Sequence, residues 1–133
     1  MTQLTNQEIF DKALFGIRAQ GYKQSGKFEG GCAYRGNGGL KCAVGHCIDD
    51  ETANLWDSIV EHGLSIVSME RYRKAEYKKF FSVDQLDLLE QLQLAHDGIW
   101  GFSVAPNFER EMKKIADRWN LTYTEPAQTV TTL

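Results

Sequence analysis

No run in this chain comes near the ~20 apolar residues that a membrane-spanning helix needs, and the polar start MTQLTNQEIF has no apolar segment of the kind that marks export. A membrane partner is not expected. Positive charge is also scarce: 15 lysines and arginines face 18 acids, a formal net charge of −3. That balance argues against nucleic acid as a partner, because such domains are normally basic overall or along one face. Cysteine is sparse and odd in number, three in all, so a disulfide framework is excluded and a reducing, cytoplasmic setting is expected. The cysteines are never spaced C-x2-C, the knuckle that fixes two corners of a zinc tetrahedron. There is no G-x4-G-K-[ST] and no G-x-G-x-x-G behind a buried strand, so neither common phosphate-loop pattern applies. Internal repeats and linkers are lacking as well.

What remains is an ordinary composition, 42% hydrophobic and 25% charged over 133 residues. A chain of this length buries somewhat under ~70% of its unfolded surface, enough for a core without a staple. One domain over residues 1–133 is expected, with 121–133, rich in threonine, as a partly frayed tail.

The chemistry-bearing residues concentrate in Glu29–Glu51, EGGCAYRGNGGLKCAVGHCIDDE, which holds every cysteine and six of the twelve glycines. Cys32 and Tyr34 alternate with Ala33 and Arg35, and Leu40, Cys42 and Val44 alternate with Lys41 and Ala43. This is the strand period of two. A loop of Asn37-Gly38-Gly39 pairs Tyr34 with Cys42 and Cys32 with Val44, placing the apolar residues on one face and Arg35 and Lys41 on the other. The expectation is a β-hairpin. The rival reading starts a helical turn at Cys42, with His46 one turn on, and shortens the second strand to Leu40-Lys41.

The run CAYRGNGGLKCAVGHCIDDE, followed by LQLAHDGIW and a last helix ending in a tryptophan, resembles a family of small proteins of unassigned function from tailed phages and bacteria. Its pattern is close to C-x-Y-R-G…G-x-K-C-A-V-G…I-x-D-E and L-Q…H-D, and the likeness spans most of the chain. Asp49 stands where that pattern usually has proline. The resemblance implies a phage-type setting and no particular reaction.

Around this stretch the text is helical. Thr5 and Glu8 form a capping box ahead of Ile9, Phe10, Ala13, Leu14 and Ile17, with Gly21 as the stop. Asp49-Asp50-Glu51 precede Ala53, Leu55, Trp56, Ile59 and Val60, where acids suit the positive end of a helix, and Gly63 ends that segment. Leu64–Val67 is ambiguous between strand and turn. Ser68–Phe81 mixes Arg71, Arg73, Lys74, Lys78 and Lys79 with Tyr72, Tyr77, Phe80 and Phe81. It reads more readily as a packing face with a solvated back than as a single-strand nucleic-acid contact. Ser82 and Gln85 open a further helix whose inward stripe is Leu86, Leu89, Leu92 and His96, with Gln93 alongside. Pro106 suits the first position of a last helix through Trp119. The fold class expected is α+β: four or five helices around one small antiparallel hairpin, without a parallel sheet.

Three chemistries compete for these residues. A thiol enzyme would use Cys42 as nucleophile, His96 as base and Asp97 or Asp49 as orienter. Zinc would draw on Cys32, Cys42, His46, Cys47 and His96, but the cysteines are separated by nine and four residues, without a knuckle. The bland reading makes Cys32 and Cys42 small core residues. Under it, function falls to Tyr34, Arg35, Lys41, Asp49, Asp50 and His96. The expected function is therefore a phage-type accessory protein that binds a small anionic ligand or a host protein through the glycine-rich segment, with no cofactor or metal. A hydrolase or transferase using Cys42 is the alternative.

Overall fold

The computed structural model describes residues 3–24, 27–28, 31–32, 34–59, 80–97 and 104–126. Helix α1, Asn6–Ala19, opens on the expected capping box: the Thr5 hydroxyl accepts from the Glu8 N–H at 3.1 Å, and the Glu8 carboxylate accepts from the Thr5 N–H at 2.8 Å. Its five-residue apolar stripe is fully buried. The helix stops where Gly21 turns left-handed, φ 68°; the N–H of Tyr22 then reaches the Ile17 carbonyl and that of Gly21 the Arg18 carbonyl. Those two bonds satisfy carbonyls that a helix end otherwise leaves open.

Among the described residues the hairpin expected between Cys32 and Val44 is not present. Strand pairing among the described residues is a two-residue antiparallel ladder, β1 Lys27–Phe28 against β2 Gly31–Cys32. Among the described residues the fold is all-α in class rather than the expected α+β. One backbone bond, from the Gly36 N–H to the Leu40 carbonyl at 2.8 Å, closes a turn around Asn37–Gly39, and no ladder extends from it. The chain next winds into a 3-10 turn, Val44–Cys47, where the His46 N–H donates to the Cys42 carbonyl at 3.2 Å. This is the rival helical turn. Alternation misled because Ala43, set opposite the apolar face with Lys41, is small enough to be buried with Cys42, Val44, Cys47 and Ile48.

Helix α2, Asp50–Ile59, is capped by Asp49, whose carboxylate accepts from the Thr52 N–H at 2.7 Å. Gly63, Leu64–Val67 and the basic aromatic stretch as far as Lys79 lie outside the described residues. Phe80 and Phe81, at that stretch's end, are core residues. A 3-10 turn, Val83–Gln85, leads into α3, Leu86–Asp97, and the Gln85 amide reaches back to accept from the Ser82 N–H at 3.0 Å. Leu86, Leu89, Leu92 and His96 are all buried, as the stripe required. Helix α4, Val104–Trp119, begins two residues before Pro106, and Asn120, φ 57°, ends it in the same manner as Gly21 ends α1.

Helix α3 packs on α4, and α1 packs on α3 and on the turn Val44–Cys47. The chain then returns. Leu121 and Tyr123 dock against the core, and the Gln7 amide pairs with both backbone groups of Thr122, at 2.9 and 3.0 Å. That part of the expected tail is therefore held; residues 127–133 lie outside the described set. Among the described residues no helix is long and apolar enough to cross a membrane.

Candidate functional site

The glycine-rich stretch is irregular, so side chains must satisfy its backbone. Arg35 does most of this. Its Nη1 donates to the carbonyls of Tyr34 (3.0 Å) and Gly45 (2.7 Å), its Nη2 to that of Ile48 (3.0 Å), and its Nε to Asp50 Oδ1 (2.8 Å). A planar fork with five N–H groups can make such a set, and an ammonium cannot. The guanidinium thus ties the start of the loop to the turn Val44–Cys47 and to the first residue of α2. Asp57, two residues before the end of α2, completes the brace by accepting the N–H groups of Tyr34 and Arg35, both at 3.0 Å.

A second brace comes from α1. The Gln20 amide donates to the carbonyls of Lys23 and Lys41, both at 2.7 Å, and its oxygen accepts from the Lys41 N–H at 3.2 Å and meets His46 Nε2 at 3.0 Å. An amide oxygen only accepts, so the neutral His46 carries its proton on Nε2. The ring lies on Gly16: a methyl built there would stand 2.3 Å from its Cγ. Burial, then the charges of Lys41, Arg35 and His96, lower the His46 pKa to about 4. The imidazole is neutral at pH 7.

The expected nucleophile sits beneath these braces. Cys42 is fully buried, and its Sγ accepts from the Gly45 N–H at 3.3 Å. Cys47 donates to the Ile9 and Ala43 carbonyls, at 3.5 and 3.7 Å, and burial pushes its thiol up to about 12. Both are reduced. The side chain of Cys32 lies outside the described set. His96, also fully buried, directs Nε2 to the Tyr22 carbonyl at 2.8 Å, stands edge-on to Phe108, and its own carbonyl accepts from the Gln24 amide. Asp97 closes α3, and its side chain lies outside the described set. Among the described residues no group of three His, Cys, Asp or Glu is gathered as a metal would need.

The predicted binding residues divide. Tyr34 is buried and Asp49 caps α2, so both have structural work. Arg35 and Asp50 form an ion pair in which the arginine side chain is 15% exposed and the aspartate 80%. The hydrogen bond and charge of Arg35 hold the Asp50 carboxyl below its usual range. Lys41 is half-buried, and the turn at Gly38 and Gly39 is exposed. Sequence reasoning missed Gln20, Asp57 and Gly16. Their types carry no local signal, and their partners lie 21 to 30 positions away, beyond any periodicity. Gln93 was legible as a polar group beside His96; its oxygen accepts from the Val44 N–H at 2.8 Å, which sets α3 against the site.

A second polar cluster was not foreseen. Arg18 grips Glu109 through Nε (2.8 Å) and Nη2 (2.6 Å), and the hydroxyls of Tyr22 and Tyr123 donate to the same carboxylate at 2.8 and 2.6 Å. Burial pushes Glu109 up, but the bonds from Arg18, Tyr123 and Tyr22 outweigh it and leave the carboxyl below its ordinary value. The Arg18 guanidinium also lies over the rings of Phe15 and Tyr123, at 5.7 and 5.6 Å. Four charged and phenolic groups satisfy one another there, so the cluster reads as a clasp. No family model, curated protein or solved structure matches the chain.

Proposed function

We propose that this chain is an accessory binding protein that takes a small anionic ligand at the exposed side of the loop Tyr34–Asp50. The observation that carries the reading is the brace: Arg35 and Gln20 hold an irregular loop from within while its turn at Gly38 and Gly39 faces solvent. A loop fixed before it binds loses little freedom on binding, which is the physical advantage of a preorganised recognition surface. The positive charge of Lys41 beside glycine amides favours an anion over a cation or an apolar ligand. The phage-type setting, in the host cytoplasm, rests on the resemblance of the CAYRG…GLKCAVG…IDDE run. A buried Cys42 that accepts a backbone hydrogen bond gives thiol chemistry less support than binding.

The test is an amide NMR titration of the labelled protein with a panel of inorganic and organic anions, together with a photo-crosslinking residue at Asn37 exposed to host-cell lysate. Shifts confined to Gly36–Lys41 are expected with at least one anion. Cross-linking to one host protein without any anion effect would move the ligand class from small anion to protein. Silence in both assays removes the loop as the functional surface.

A further inference from the structure

We propose that the returning segment 121–124 is an exchangeable strap, and that its seat on α1 and α4 takes the same segment from a second copy of this chain, giving a reciprocal dimer. The proposal goes beyond the anion-binding reading and uses none of residues 34–50. The strap alternates: Leu121 and Tyr123 pack against the core, and Thr122 and Thr124 are exposed, the period of an extended chain. Its seat reads backbone. Gln7 pairs with both backbone groups of Thr122, and Arg18 Nη2 donates to the Thr124 carbonyl at 2.6 Å. The groups that form the seat are also tied to one another, Gln7 to Asp11 at 2.9 Å, and Arg18 and Tyr22 to Glu109. Those bonds do not involve the strap, so a strap arriving from elsewhere finds the seat formed.

The hinge is Asn120. It is left-handed, φ 57°, a conformation unfavourable to any residue with a Cβ. In that conformation the Asn120 N–H reaches the Asp117 carbonyl at a long 3.4 Å, and the Leu121 N–H reaches the Ala116 carbonyl at 2.8 Å. When Asn120 turns right-handed, α4 runs on: its N–H takes the Ala116 carbonyl and that of Leu121 takes the Asp117 carbonyl, the regular helical pattern. Two bonds replace two bonds, and the left-handed residue is relieved. The strap then leads away from its own seat and fills that of a second copy, whose strap returns the exchange, so the contacts of the strap with its seat are kept across the pair. Against this stands the tether, which presents the chain's own strap at a millimolar effective concentration. Exchange therefore belongs to concentrated protein, or to a hinge biased toward helix.

The experiment is sedimentation velocity on the full chain from micromolar to millimolar concentration, as wild type, Asn120→Ala and Asn120→Gly, with circular dichroism to check each fold. Alanine disfavours the left-handed hinge and favours helix, whereas glycine accepts the left-handed hinge and weakens helix. Wild type should dimerise only near millimolar concentration, Asn120→Ala at concentrations at least about tenfold lower, since each dimer relieves two hinges, and Asn120→Gly at higher ones than wild type. In dimer prepared from equal parts of isotope-labelled and unlabelled chains, a filtered NOE should join the Gln7 side-chain amide of one chain to the Thr122 backbone of the other. Tyr123→Ala added to Asn120→Ala should return the monomer. A dimer that lacks the Gln7–Thr122 cross-peak, or that survives Tyr123→Ala, uses another surface and overturns the proposal. So does an Asn120→Ala chain no more dimeric than Asn120→Gly. Monomer throughout in wild type and Asn120→Ala overturns it as well; should Asn120→Ala not fold, the wild-type chain alone decides.

Discussion

Gly16 and Gly45 stand where a methyl group would collide with the loop. A Cβ on Gly16 would lie 2.3 Å from the His46 ring, and one on Gly45 2.5 Å from the Tyr34 carbonyl oxygen. Gly16→Ala should therefore cost about 1–3 kcal/mol, the range for overpacking a tight contact. His46→Ala in the same chain should recover part of that, a non-additivity measurable in a double-mutant cycle by urea unfolding. Gly45→Ala should cost more, because the group it meets is backbone. His46 also gives a pH dependence. Its folded pKa of about 4 lies below the ordinary histidine value of 6.5, so its contribution is complete above pH 6.5 and is lost as pH falls toward 4. After allowance for the part of the ring that water screens, the loss is about 1–2 kcal/mol. Urea midpoints at pH 7, 5 and 4 should fall in wild type and fall less in His46→Gln, which keeps a neutral donor. None of this was readable from Gly16 in the sequence, since a glycine inside a helical pattern gives no hint that a residue 30 positions on lies against it.

In the loop between Tyr34 and Asp50 one guanidinium makes four of the bracing hydrogen bonds. Arg35→Gln would leave the carbonyls of Gly45 and Ile48 short of a donor and should cost at least ~2 kcal/mol, given the value of hydrogen bonds to charged groups. Arg35→Lys should fare little better, because one nitrogen cannot reach three carbonyls and a carboxylate. Proteolysis within residues 36–41 should accelerate in both variants, and an unchanged cleavage rate would mean the brace is dispensable. The thiols follow from the same packing: Cys42 and Cys47 should react slowly with an aromatic disulfide reagent in native protein and rapidly in denaturant. Helices α1 and α3 were legible because caps and an apolar stripe coincide in each. The hairpin was misread because Ala and Gly satisfy an alternating pattern and a buried turn equally well. What decides between them is the contact with α1 and with Gln93, which the local text does not contain.

The clasp at Glu109 joins α1, the segment after it, α4 and the returning chain. Glu109→Gln removes the charge and one of the two oxygens that accept from Arg18, Tyr22 and Tyr123 and should cost roughly 2–4 kcal/mol, whereas Tyr123→Phe should cost about 1 kcal/mol. Chemical unfolding measures both, and equal small effects would demote the cluster to surface decoration. Its members are scattered through the sequence at 18, 22, 109 and 123, so no spacing announces them. Composition foretold a core and nothing of how the chain closes on itself. That closure matters while the protein is being made. The backbone of Thr122 that completes the Gln7 contact is 115 residues downstream, and at typical rates of synthesis roughly 6–23 s separate the two. Throughout that interval α1 leaves the ribosome with Ile9, Phe10, Leu14 and Ile17 lacking their final cover. Nascent chains stalled before Glu109 should therefore recruit chaperones and aggregate, whereas those released beyond Tyr123 should not.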